Sequence, residues 1–140
     1  MKLIFDINLN NDLEQTLATA RYKQFWYDNQ EKIINSFYKH TGLTFQQKQI
    51  TVRIRKDGRS KAGNRHQPME LSWTWVTQDG IGCTLIHELA HRLVIGNGID
   101  PPEGNEFIES RANYYMHRHI YLFLYDVFVD VLGEQVAKKK

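Results

Sequence analysis

Cysteine is nearly absent: Cys83 is the one thiol among 140 residues. An internal disulfide is therefore excluded, and the thiol reads most simply as a small buried hydrophobe, in keeping with a reducing compartment. Long apolar runs are missing too. The longest, from Ile120 to Leu132, is interrupted by Asp126 and Asp130, so no membrane span is expected. The start, Met1 to Asp6, carries too short an apolar run for a secretory signal, and the expectation is a soluble, cytoplasmic protein. Neither sign of charge is in excess, since 18 Lys and Arg stand against 16 Asp and Glu for a net charge of +2. Without a global field, any attraction to nucleic acid has to be local, and no membrane partner is expected. Internal repeats, low-complexity tracts and linkers are also lacking. With 41% hydrophobic and 12% aromatic residues there is apolar surface enough for one core, so residues 1–140 are expected to form a single domain.

What the chain does have is His87-Glu88-Leu89-Ala90-His91. On a helix, imidazoles spaced i, i+4 lie only about 40° apart around the axis, so both can reach one metal ion. Glu88 sits about 100° round from His87, placed to address a water at the metal without ligating the metal itself. The context suits the motif. Gly80-Ile81-Gly82 reads as a turn, and the apolar residues from Cys83 to Ile95 predict a buried helix over about Ile81 to Ile95 that stops at Gly96-Asn97-Gly98. The plain alternative is a core helix whose histidines bond to neighbouring polar groups.

Around that helix the pattern predicts an α+β fold. A short strand-like start precedes a helix capped at Asn11 or Asp12, with apolar positions from Leu13 to Tyr38, running to Thr41-Gly42 as one long helix or as two broken near Asp28-Asn29. Gln49 to Arg55 alternates Ile50, Val52 and Ile54 against Thr51, Arg53 and Arg55, the period of a strand with one wet face. A second strand is expected over Met69 to Val76, after the polar segment Lys56 to Pro68, and the two are expected to belong to a small antiparallel sheet. After a loop from Gly96 to Gly104, a long C-terminal helix is expected from Asn105 to Leu132, packed antiparallel on the motif helix and ending at Gly133.

Catalytic zinc takes three protein ligands as a rule, so the histidine pair requires a third. Glu109 in the first turns of the final helix is the first choice, His117 two turns further on is the second, and Glu106 and His119 are weaker. Each is equally readable as an ordinary solvated or hydrogen-bonded helix residue.

The motif, preceded by a strand and followed by a second helix, resembles the zincin metallopeptidases, in particular the compact minimal gluzincin and SprT-like types. Glu109-Ser110-Arg111-Ala112-Asn113 also resembles the Glu-x-x-Ala-Asn segment of ImmA-type peptidases. That resemblance implies Glu109 as the third zinc ligand, whereas the SprT-like type uses a third histidine and implies His117. A third histidine shortly after the motif, as in the extended zincins, is missing from Arg92 to Asp100. The resemblance further implies that the strand Met69 to Val76 is an edge on which an extended peptide pairs, with Leu71, Trp73 and Trp75 on one face. These three are also readable as core.

The chemistry so implied is zinc-dependent hydrolysis of a peptide or protein substrate, with Glu88 as general base. Asn105 and Asn113 are candidates to orient the ligand imidazoles, and Tyr114, Tyr115 and His119 to stabilise an oxyanion. Arg53, Arg55, Lys56, Arg59, Lys61 and Arg65 concentrate positive charge in strand and loop, which suits phosphate contacts or simply a solvated face; no aromatic residue lies between Lys56 and Arg65 to stack on bases. The competing functions are a non-catalytic zinc-binding module, possibly associated with nucleic acid, and a metal-free interaction protein.

Overall fold

Alternation along Gln49–Arg55 places Ile50, Val52 and Ile54 almost wholly out of solvent and leaves Thr51, Arg53 and Arg55 exposed, which makes this segment (β2) the middle strand of a one-sided sheet. The structure, a computed structural model, describes residues 1–6, 12–56, 58–73, 78–99 and 116–140. Strands β1 (Lys2–Phe5) and β3 (Met69–Ser72) flank β2 in the order β1-β2-β3. Lys2 stands opposite Gln49 on one side, and Val52 opposite Met69 on the other.

Both pairings are parallel, which corrects the antiparallel sheet expected from the sequence. Parallel neighbours need a crossover connection, usually of a dozen residues or more. Helix α1 (Leu13–Thr41) supplies it between β1 and β2, and the segment between Arg55 and Met69, taken for a plain loop, supplies it between β2 and β3. Among the described residues, an antiparallel bridge joins that segment to β3, where Lys61 pairs with Glu70.

Helix α1 (Leu13–Thr41) is unbroken. The Asp12 carboxylate accepts from the Glu14 amide at 3.0 Å, and Gly42, with φ of 68°, closes the far end by donating to the Tyr38 carbonyl at 2.8 Å. Asn29 causes no break because its side-chain amide donates to the Phe25 carbonyl, satisfying itself within the helix. Tyr22, Trp26, Ile33 and Phe37 form its buried stripe.

Helix α2 (Gln78–Gly96) is longer than expected and absorbs Gly80-Ile81-Gly82, which is helix rather than turn. Packing explains the glycine: a Cβ at Gly82 would lie 2.7 Å from Leu132 Cδ2 and 2.8 Å from Phe25 Cζ, so its absence lets α2 approach its neighbours closely. The other end stops where predicted. Gly98 takes φ of 82° and donates to Ile95 while Ile99 donates to Val94, a Schellman closure.

The expected long C-terminal helix is interrupted. Residues 100–115, with Glu106, Glu109 and most of the predicted ligand helix, lie outside the described residues. Helix α3, described over 116–121, gives way to a turn at Leu122 and Phe123 before α4 (Leu124–Leu132) and α5 (Glu134–Ala137). Phe123 turns inward against Phe37, ring centroids 6.0 Å apart, while Leu122 is left outside. The break thus re-aims the chain so that α4 can bury Val127, Phe128 and Val131 between α1 and α2. On the α1 side Asp130 accepts from Ser36 at 2.9 Å and pairs with Lys39 and His40 at 3.1 and 2.8 Å, contacts that hold its carboxyl down to about 2. Among the described residues no helix is long and apolar enough to cross a membrane.

Candidate metal centre

Helix α2 is apolar nearly all round, with Leu85, Ile86, Leu89, Ala90 and Leu93 fully buried, and that burial fixes its roll. The face left over carries His87 and His91. Their i, i+4 spacing brings the two Nε2 atoms to 3.2 Å, with ring centroids 5.0 Å apart. His117, on α3, completes the group: its ring lies 5.5 Å from that of His87 and 4.9 Å from that of His91. One ring nitrogen from each of the three falls within 4.8 Å of the others, and all three side chains are half-buried. Two nitrogens bound tetrahedrally at zinc distances of about 2.0–2.1 Å stand roughly 3.3 Å apart, so the closest pair fits that donor set.

The electrostatics suit neutral, ligating imidazoles. Burial, then the proximity of the other two rings, drives His91 down to about 3, and burial with His117 lowers His87. Neutral imidazole is the form that binds metals.

Glu88 is buried beside them, only 7% exposed. Burial pushes its carboxyl up to about 7, against a backbone hydrogen bond from Ala62 that favours the ionised form. His87 and Glu88 both open on a cavity of about 510 Å³, whose walls come from the 58–60 segment, the start of α2, Tyr121 and α4. The Tyr121 ring lies 5.5 Å from that of His117.

Arg92, next to His91, escaped attention in the sequence and organises the loop. Its buried guanidinium donates to the carbonyls of Ala62, Asn64 and Gln67 and, at 3.1 Å, to Gln47 Oε1. A planar fork of donors can gather several carbonyls at once, and here it nails 62–67 against α2, with Ala62 facing Glu88. The signal for it was present: a cation inside an apolar helix must have partners to be buried at all. Tyr22, one of the apolar positions expected in the first helix, has a polar role that the sequence did not reveal. Its fully buried hydroxyl donates to the Ser72 carbonyl at 2.9 Å and is hydrogen-bonded with Thr84, while burial pushes its pKa well above the ordinary phenol value.

Other predicted roles sort differently. The outward edge of β3 is closed rather than open to a peptide: Glu70 exchanges both backbone bonds with Lys61 at 2.8 Å, the Ser72 amide donates to Ser60 Oγ at 2.9 Å, and Tyr22 occupies the Ser72 carbonyl. Leu71 is core and Trp73 packs against it, while Trp75, Asn105, Glu109, Asn113, Tyr114 and Tyr115 lie outside the described residues. His119, on α3, is not part of the three-imidazole group. Half of the basic cluster is internally neutralised, with Arg53 on Asp6 at 2.9 Å, Arg55 on Glu70 at 2.7 Å and Lys56 near Asp12 at 3.5 Å. No family model, curated protein or solved structure matches the chain.

Proposed function

We propose that this chain is a zinc-dependent metallopeptidase of the minimal zincin type, with zinc held by His87, His91 and His117 and with Glu88 as general base. One observation carries the reading: three imidazoles converge within 4.8 Å beside a buried carboxylate whose acidity lies near neutrality. When bound, zinc supplies a Lewis acid for the scissile carbonyl and acidifies a water.

The protein's own groups do the rest. Glu88 accepts the proton of the attacking water on a carboxylate oxygen as the water oxygen bonds to the carbonyl carbon. It then delivers that proton to the amide nitrogen as the C–N bond breaks. A base that holds its proton near pH 7 is suited to both transfers, and a bound cation nearby would lower it further into the ionised form. The Ala62 amide, pinned by Arg92, keeps the carboxylate from swinging away. In this reading the third ligand makes the site SprT-like, and Glu109 of the ImmA-type arrangement is the competing ligand.

Metal titration and hydrolysis together test it. Glu88→Gln is expected to keep zinc at one equivalent and to lose about 10²–10⁴-fold in peptide hydrolysis. His117→Ala is expected to weaken zinc binding at least tenfold, with Glu109→Gln close to wild type. Zinc binding without hydrolysis of any peptide in a broad panel would leave a non-catalytic zinc module instead.

A further inference from the structure

Charged side chains of both signs line the cavity at Glu88. Glu88 is the one acid among the described residues that line it, whereas Arg59 and Lys140 place two cations on its walls. Arg59 belongs to the basic cluster of strand and loop, yet it differs from Arg53, Arg55 and Lys56. Those three have carboxylate partners on the sheet face or at the start of α1, while Arg59 and Lys140 pair with no carboxylate among the described residues. Lys140 lies just past α5, and its charge is felt at the Cys83 thiol, one helical turn before His87. The apolar side chains of Leu124 and Phe128 line the same cavity, as does His87. At about 510 Å³ the space admits a large side chain with room to spare.

We infer that this cavity is a subsite for a carboxylate of the peptide substrate, gripped by Arg59 and Lys140 while the peptide bond lies at Glu88. The inference rests on the peptidase reading and adds its selectivity. A guanidinium and an ammonium bind an anion with charge-assisted hydrogen bonds that the neutral amide of the same shape does not match. Leu124 and Phe128 favour the methylenes that carry the carboxylate. The carboxylate has two possible sources, an acidic side chain or the C-terminus of the peptide.

Fluorescence anisotropy with the zinc-loaded chain separates them. Labelled peptides with an amidated C-terminus, carrying glutamate or glutamine at the same position, read the side-chain source. Glutamine peptides with a free or an amidated C-terminus read the terminal source. In at least one pair the carboxylate form is expected to bind about tenfold or more tightly, and the advantage to shrink between 50 and 300 mM salt as screening shortens the reach of the cations to under about 10 Å. In Arg59→Gln/Lys140→Gln the ratio within that pair is expected to fall to about one, and Arg59→Lys, which keeps the charge, to retain part of it. Zinc content and far-ultraviolet circular dichroism establish that the variants are folded. Equal binding within both pairs, a ratio that survives the double substitution, or no binding of any carboxylate peptide overturns the inference. Failure of the peptidase reading looks different: selective binding persists, but none of the bound peptides is cleaved.

Discussion

Glu88 is the residue where burial and chemistry meet. Its carboxyl holds a proton up to about pH 7 because α2 and the 62–67 loop keep water away. A raised carboxyl favours the folded state fully below its ordinary value near 4.5 and loses that contribution as pH climbs through about 7. His91 runs the other way: driven down to about 3, it favours the folded state above the ordinary imidazole value of 6.5 and loses that as pH falls. Comparison with Glu88→Gln isolates the first effect. In chelator, thermal melts are expected to show the variant gaining on wild type as pH rises from 5 to 8, and a constant difference across that range would rule out the raised carboxyl. Arg92 is the complementary case, a permanent cation that stays buried because four acceptors surround it.

At the scale of elements, α2 serves as both core and scaffold. Its apolar sides seat it against β3, α1 and α4, and Gly82 sets how near it comes to the helices. The crossover segment between β2 and β3 is tied to it by Arg92, to β3 by Lys61 and Ser60, and to Glu88 by Ala62. This segment is therefore a fixed wall rather than a floppy loop, although Gly63, with φ of 68°, and a run of polar residues give it the composition of one. Arg92→Lys keeps the charge but lacks the fork, and is expected to cost about 1–3 kcal/mol for the carbonyls left unpaired. Hydrogen exchange should quicken about tenfold or more in 62–67 with little change in α1. Unchanged protection there would mean that the loop is held by something else.

For the whole molecule, the three imidazoles bring side chains of α2 and α3 together, with ring nitrogens within 4.8 Å of one another. A ligand that binds the folded chain alone adds stability by mass action, about 4 kcal/mol at a thousandfold excess over its dissociation constant. For a chain of this size that corresponds to roughly 10–15 °C in melting temperature. Zinc is expected to raise the melting temperature by that order, chelator to reverse it, and His87→Ala and His91→Ala to abolish it. A melting temperature indifferent to zinc in all three proteins would sink the metal reading.

The amino-acid sequence determined the local features on its own: the i, i+4 histidine pair, the caps at Asp12 and Gly42, the alternation of β2 and the stop at Gly98. Each depends on groups within about one or two turns of each other, where spacing and dihedral preference suffice. Only the tertiary structure decided the direction of the strands, the helical place of Gly82, the break after Tyr121, the closed edge of β3 and the approach of His117 to the pair. These follow from packing between segments far apart in the chain. Periodicity tells which face of an element is apolar, but not what that face will meet, and a polar side chain such as Arg92 or Tyr22 acquires its role only when distant carbonyls are folded onto it.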